Sequence, residues 1–349
     1  MNKDTRLQIN FAFSKNEDNA GKEMTVLAGD VGGTKTNLAL YKMIGEDFQL
    51  QLEKTYHSAQ YPSFTEIITT FLLENQLALP DRFCAGVAGP IMNGKVQITN
   101  LDWAIDTEEI KSKTSIESVS LINDLEATAY GLAGLTQNDI ITLHSGDESI
   151  KGNIAIIAPG TGLGEAGMYW DGKAYHPFPT EGGHSEFSPR TELDIDLFRF
   201  LQKKYGIVSW EKTVAGPGIH DMYLFLREKR NIAEPTWLTD ALNTDDPSAV
   251  ISHAALEEKD IVCMETLNLF VRYLARESAS LVLKMKATGG LYLGGGIPPK
   301  IAKLLLKEPF YKEYIDCDRM QHLLEPVPIH IISNEKTALI GAAWYGGMS

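Results

Sequence analysis

Two segments of the chain share one uncommon opening: an apolar strand, a glycine turn, and a second strand. In the first, Thr25-Val-Leu-Ala-Gly-Asp30 leads through Gly32-Gly33 into Leu38-Ala-Leu-Tyr41. In the second, Ile154-Ala-Ile-Ile-Ala158 leads through Gly160-Thr-Gly-Leu-Gly164 into Glu165 to Trp170. Short apolar runs bounded by turn residues read as buried strands. The first opening continues with a third strand over 49–57 and a helix through Phe64, Ile67, Ile68, Phe71 and Leu72 that Ser63 can cap. Strands over 82–87, 96–99 and 118–122 follow, with a helix from Glu108 capped by Asp106 or Thr107 and another over 125–132. The second opening runs through an Asp171-Gly172 hairpin turn. Helices then dominate: 194–205, a weak segment at 221–229, one near 240–242, and a strong one over 261–284. Strands over 290–294 and 327–333 and helices over 299–306 and 335–345 complete it. The pattern is two α/β halves, alike in architecture without a visible sequence repeat.

The length of 349 residues suits two domains. The expected division is a small α/β domain over 24–134, completed by the C-terminal helix 335–349, and a large α/β domain over 135–334. Residues 1–23 are polar and mixed in charge, lack the apolar core of a secretory signal, and read as a flexible extension. A hydrophobic share of 44% and a charged share of 22% exclude a disordered or fibrous chain. The net charge of −14 argues against a nucleic-acid partner, which a basic surface would attract. It leaves a phosphate ligand open, because backbone N–H groups build such sites locally. No apolar stretch approaches the length of a transmembrane helix, so no membrane partner is expected. Cys84, Cys263 and Cys317 are odd in number and far apart, which speaks against a disulfide framework or a zinc site. Buried, reduced thiols in a cytoplasmic protein are the expectation.

Glycines let a backbone approach a ligand closely, and free N–H groups with a threonine hydroxyl can hold phosphate oxygens. Gly29-Asp-Val-Gly-Gly-Thr34 fits that use, and Asp30, at a strand end, could hold a hydrated Mg²⁺. The pattern matches neither G-x-x-x-x-G-K-[ST] nor G-x-G-x-x-G. Gly160-Thr-Gly-Leu-Gly164 echoes it, and two such turns could clamp a nucleotide. Gly294-Gly-Gly296, at a strand end, could let an adenosine pass close to backbone. Ala215-Gly-Pro-Gly218 is a fourth turn. Each also reads as a plain tight connection.

Asp124 follows a strand and precedes a helix, where a carboxylate points toward the ligand crevice of an α/β sheet. It could take a proton from an attacking hydroxyl, or merely cap the helix. In Glu181-Gly-Gly-His184 the two glycines bring a carboxylate and an imidazole together, and the pair can exchange hydrogen bonds with a polyol. A structural histidine is the plain alternative. Glu211 reads by default as a solvated helix-face acid.

Taken in order, Gly29-Asp-Val-Gly-Gly-Thr34, Leu121-Ile-Asn-Asp124, Gly160-Thr-Gly-Leu-Gly164, Glu181-Gly-Gly-His184 and Gly294-Gly-Gly296 resemble the bacterial glucokinases, from about Met24 to the C-terminus. Thr99-Asn100 with Trp103, and Ala215-Gly-Pro-Gly218, also resemble that family. The resemblance implies the α/β, two-domain actin-like ATPase (ribonuclease-H-like) fold, with an interdomain cleft closing on ATP and sugar. It implies ATP-dependent phosphorylation of glucose to glucose 6-phosphate. Asp124 is then the catalytic base. Asn123, Glu181, His184, Glu211 and Asn100 are sugar ligands. Asp30, Gly32, Gly33 and Thr34 form the first phosphate loop, with Asp30 holding Mg²⁺ through water. Gly160, Thr161 and Gly162 form the second, and Gly295 and Gly296 the adenosine loop. A homodimer is the expected assembly.

Lys35 and Asn37 stand where many members carry Asn and then Arg, as in the ROK sugar kinases. No Cys-rich zinc motif follows His184, which favours the zinc-free branch and ATP with Mg²⁺, without zinc, as the requirement. Three rivals share the fold: a kinase for another hexose, a non-catalytic sugar-sensing protein, and an actin-like chaperone or filament. A sensor would need a DNA-binding segment, for which 23 polar residues are too short. A chaperone would lack the Glu181–His184 loop.

Overall fold

A computed structural model of the chain describes residues 6–13, 22–45, 47–98 and 101–349. In chain order its strands and helices begin with β1 (Glu23–Val31), β2 (Lys35–Ile44), β3 (Asp47–His57), α1 (Phe64–Glu74), β4 (Arg82–Val87), β5 (Lys95–Gln97) and β6 (Ala104–Asp106). Next come α2 (Thr107–Thr114), β7 (Ser118–Asn123), α3 (Asp124–Gly131), β8 (Ile140–His144), β9 (Ile154–Pro159), β10 (Leu163–Trp170) and β11 (Tyr175–Thr180). A helical stretch holds α4 (Glu192–Tyr205), α5 (Gly216–Arg230), α6 (Thr236–Thr244), α7 (Pro247–Leu256) and α8 (Ile261–Met285). The run ends with β12 (Gly290–Leu293), α9 (Ala302–Leu305), α10 (Glu308–Ile315), α11 (Gln321–Leu324), β13 (Ile329–Ile332) and α12 (Thr337–Met348).

The chain divides into two compact units. The first takes Met1–Ile140, Met168–Pro179 and Asn334–Ser349, and the second Ile141–Gly167 and Thr180–Ser333. The first contains a five-stranded sheet in the order β3-β2-β1-β4-β7. β2 is antiparallel to β1 and β3, while β1, β4 and β7 run parallel. The central strands are apolar on both faces: Val26, Leu27, Ala28, Phe83, Cys84 and Ala85 are all buried. That is the pattern of a sheet covered on both sides. Ser63 caps α1 by accepting the Glu66 N–H, and Asp106 caps α2 by accepting the Glu108 N–H. Each such cap stabilises a helix by about 1 kcal/mol.

α12 packs on α3 so closely that a Cβ on Gly341 would strike the Ala127 carbonyl, and one on Gly131 the Thr337 carbonyl. Gly86, inside β4, lets α3 descend onto the sheet: a Cβ there would lie 2.9 Å from Ala127 Cβ and 3.7 Å from Asp124 Cα. These contacts fix the start of α3 against the sheet.

Residues 6–13 pack against the first unit. Arg6 pairs with Asp47 at 3.1 Å and lies over the rings of Phe48 and Trp344. Phe11 and Phe13 pack on Tyr130, and Phe13 also reaches Tyr345. These aromatic contacts hold the stretch to its unit.

The other sheet has the order β11-β10-β9-β12-β13-β8, with β9, β12 and β13 parallel. Its first five strands repeat the 3-2-1-4-5 arrangement of the five-stranded sheet, which is the architectural likeness visible in the sequence. β11 carries Pro177 and Pro179, and it lies at an edge, where a strand can spare those N–H groups. Helix α8 is buried along most of its length among α5, α7 and α10. Cys84 and Cys263 are buried free thiols, whereas Cys317 is only half-buried. Among the described residues no helix is long and apolar enough to cross a membrane.

Candidate active site

In the first unit the site residues gather at the carboxyl ends of β1, β4 and β7. Asp30 pairs in register with Gly86, and Val87 with both Val31 and Asn123. Asp30 and Asn123 therefore stand two strands apart on one sheet edge, roughly 10 Å at the ~4.8 Å strand spacing. Burial pushes the Asp30 carboxyl above the ordinary carboxylate range, and the Asn37 amide, donating to it at 3.3 Å, acts in the opposite direction. A nearby cation would favour the ionised form. One strand-end carboxylate beside a phosphate loop fits Mg²⁺, which takes few protein ligands and completes its shell with phosphates and water. Among the described residues no cluster of three His, Cys, Asp or Glu side chains forms a closed metal site.

The Gly32–Thr34 turn is braced from β3 onward. Gly32 N–H donates to the Lys35 carbonyl, Ser58 Oγ donates to the Gly32 carbonyl at 2.9 Å, and Ser58 N–H donates to the Thr34 carbonyl. Thr34 is exposed at its tip.

The structure divides the helix-capping role at 123–124. Asn123 is the N-cap: its Oδ1 accepts from Leu125 N–H at 2.9 Å and from Glu126 N–H at 3.3 Å. Asp124 is the first helical residue, and its Oδ1 also accepts from Leu125 N–H. So the cap is not what requires a carboxylate at Asp124.

In the second unit, Gly160 N–H donates to the Gly162 carbonyl, closing the turn between β9 and β10. The Gly160 carbonyl accepts from Gly216 N–H at 2.8 Å, which seats the start of α5 beside the turn. Ala215, at the N-cap of α5, offers no capping side chain, and Pro217 fills the first turn. The N-terminal end of a helix of this length carries positive character that suits a phosphate. Gly295 follows β12, the parallel neighbour of β9. It takes a φ of +76°, and a Cβ there would collide with the Pro159 carbonyl. Glycine is required at this position to bring the Gly295–Gly296 turn against the Gly160 turn.

Glu211 departs from the solvated helix-face role. Its Oε2 accepts from Leu163 N–H at 3.2 Å, and its Oε1 pairs with Lys212. Oε2 also lies 2.8 Å from where a Gly162 Cβ would sit. Glu181 and His184 bracket a tight helical turn, with Glu181 Oε2 3.9 Å from His184 Nε2 and both side chains open to solvent. A Cβ on Gly183 would strike the Leu163 carbonyl. Thus Leu163 touches both Glu211 and the Glu181–His184 loop. Asn100 lies outside the described residues.

The structure brings together Asp30, Gly32, Gly33, Thr34, Asn123 and Asp124 in one unit. Gly160, Thr161, Gly162, Glu181, His184, Glu211, Gly295 and Gly296 lie in the other. Sequence reasoning missed Asn37 as the partner of Asp30, Ser58 as the brace of the first turn, and Thr180, whose Oγ1 accepts from Gly182 N–H. It also missed Glu165, a carboxylate inside an otherwise apolar strand, and that placement was the available signal.

The family model described as Glucokinase matches residues 27–347. A protein named glucokinase from Nostoc punctiforme is 38% identical over 332 residues, covering 91% of this chain and 97% of its own. The crystal structure of a glucokinase from an Antarctic psychrotroph superposes with a TM-score of 0.81 at 31% identity, covering 94% of this chain and all of that one. A ROK-family glucokinase from Streptomyces griseus, solved with glucose and AMPPNP, has the same fold at a TM-score of 0.60 and 17% identity, over 93% of this chain and all of that one. The fold is that of the actin-like ATPases, as the motifs imply.

Proposed function

The chain belongs to the glucokinase family, and from that premise we propose that it transfers the terminal phosphoryl group of ATP to the 6-hydroxyl of glucose through the residues assembled above. The observation that carries the assignment of roles is Asp124. It stands at the carboxyl edge of a parallel sheet, on the same edge as the Gly32–Thr34 turn, and the helix cap beside it is supplied by Asn123.

The Asp124 carboxylate accepts the proton of the sugar hydroxyl as its oxygen attacks phosphorus; the new bond is oxygen to phosphorus, and the bond broken links phosphorus to the leaving ADP oxygen. Glu181 and His184 hold sugar hydroxyls, and Glu211 and Asn123 complete the sugar side. Backbone N–H groups of the Gly32–Thr34 and Gly160–Gly162 turns, with the Thr34 and Thr161 hydroxyls and the start of α5, hold the phosphates. Asp30 is the residue that would hold Mg²⁺ through water; the ion, when bound, neutralises charge on the transferring phosphoryl oxygens. Phosphoryl transfer asks mostly for positioning and charge stabilisation, so both sets of groups must act on one pair of substrates.

A coupled assay with ATP across glucose, mannose, fructose and N-acetylated amino sugars, with phosphorus NMR of the product, tests this reading. Glucose turns over fastest, yields a phosphate ester at the 6-position, and needs added Mg²⁺. Folded protein that turns over no hexose with ATP contradicts the reading.

A further inference from the structure

Glu165 lies in β10, three residues after Gly162, and is 1% exposed; Glu277 in α8 is fully buried. Their carboxyls stand within hydrogen-bonding reach of each other. Glu165 Oε1 and Glu277 Oε2 are buried with no donor among the described residues. Two ionised carboxylates in a dry interior repel, and each leaves acceptors unmet. One proton shared between them supplies the missing donor and removes one charge.

The charged neighbours decide which carboxyl keeps it. Lys284, also on α8, places Nζ 3.3 Å from Glu277 Oε1. Burial raises the Glu277 carboxyl to about 7, less far than that of Glu165 because the Lys284 charge opposes it, so Glu165 is the carboxyl that keeps its proton to the higher pH. Burial first, and then the Glu277 charge, push the Glu165 carboxyl up to about 8.

On its other side Glu165 meets the Glu181–His184 loop. Its Oε2 lies 2.0 Å from where a Cβ on Gly182 would sit, so only glycine fits there without displacing the carboxyl. Thr180 Oγ1 donates to the Glu165 carbonyl at 3.0 Å and accepts from Gly182 N–H. Of the charged groups on this side, Glu181 and His184 face solvent and Glu211 is turned to Leu163 N–H. Among the described residues, Glu277 and Lys284 are the charged groups that act on Glu165 across the interior.

We propose that Glu165, protonated and paired with Glu277, is a positioning residue that props Gly182 and so sets the sugar loop, and that loss of its proton in alkaline solution loosens that loop and weakens glucose binding. The proposal rests on the reading that the Glu181–His184 loop holds the sugar.

The test is glucose KM, ATP KM and kcat from about pH 6 to about pH 9.5 for wild type, Glu165→Gln and Glu277→Gln. In the wild type the glucose KM rises about tenfold above pH 8, the scale of one weakened hydrogen bond to a charged group, and the ATP KM stays level. Gln at 165 keeps the shape and a donor but cannot ionise, so its glucose KM stays flat across the range. Glu277→Gln removes the second charge but leaves Glu165 buried, so it moves the rise to lower pH, which carries the test if the first variant folds poorly. A flat wild-type profile, or an alkaline rise unchanged in both variants, overturns the proposal. Glu181→Gln at pH 7 separates the causes. An unchanged glucose KM there removes the premise and the proposal with it, whereas a raised one beside a rise that persists unchanged in both variants refutes the prop alone.

Discussion

The Leu163 N–H donates to the Glu211 carboxylate at 3.2 Å, while the Leu163 carbonyl backs Gly183 of the Glu181–His184 loop. One residue at the start of β10, directly after the Gly160–Gly162 turn, thus joins Glu211 on one side to the Glu181–His184 loop on the other. Under the proposed roles, the groups that hold the sugar and the turn that holds the phosphates share a backbone.

That sharing predicts an unusual variant. Glu211→Ala removes a sugar ligand and also frees the Leu163 N–H that steadies the Gly160–Gly162 turn. Both the glucose KM and the ATP KM rise, glucose by about tenfold or more, the scale of a lost hydrogen bond to a charged group. Steady-state kinetics with each substrate varied in turn checks it; an ATP KM that does not move removes the coupling.

Glu181→Gln behaves differently, because Glu181 makes no contact with the phosphate turn among the described residues. Glucose KM rises about ten- to a hundredfold, the ATP KM stays level, and kcat changes little if the contact is equal in ground and transition states. Melting temperature measured on the same variant distinguishes a ligand from a structural loop residue: a lowered melting temperature with unaltered glucose KM counts against the assignment.

Gly295→Ala forces a side chain into φ +76° against the Pro159 carbonyl. Strain of this kind costs roughly 1–3 kcal/mol. The turn retreats from its neighbour, so thermal stability falls and the ATP KM rises, while the glucose KM is preserved. Thermal melts and ATP titrations measure both effects.

Much of this arrangement was readable in the residues, for identifiable reasons. Ser63 and Asp106 announce their helices because a short polar side chain ahead of an apolar periodicity has one good use. Gly295 was visible because only glycine takes a φ of +76° against the Pro159 carbonyl. β11 was not, because Pro177 and Pro179 argue against a strand until its edge position is known. The helix α7 was overlooked although Asp246 and Pro247 form a standard start signal. Glu165 and Glu277 were invisible as a pair, since 112 residues separate them in the chain and only the packing of α8 on β9 and β10 brings them together. The packing of Arg6 was not legible, because the aromatic groups that hold it, Phe48 and Trp344, lie far away in sequence.

The raised Glu165 carboxyl also makes a statement about stability. Its folded-state value, about 8, lies above the ordinary carboxylate value of 4.5. The folded state then holds a proton that the unfolded chain has released. The contribution is fully present below pH 4.5 and is lost progressively as pH rises toward 8. Melting temperature therefore falls across this window in the wild type and falls less in Glu165→Gln. Calorimetry at several pH values reads the slope; parallel slopes for the two proteins contradict a shared proton at this pair.

In the proposed mechanism Asp124 takes the proton from the sugar hydroxyl. Asn at this position keeps the shape and the acceptor that meets Leu125 N–H, and it cannot take a proton. The most direct measurement is kcat of Asp124→Asn alongside its glucose affinity measured by calorimetry without ATP. The kcat falls by about 10²–10⁴, the usual scale for a lost general base, while glucose affinity stays within a few-fold of the wild type. A kcat within a few-fold of the wild type would reduce Asp124 to a residue of the helix start and contradict the mechanism.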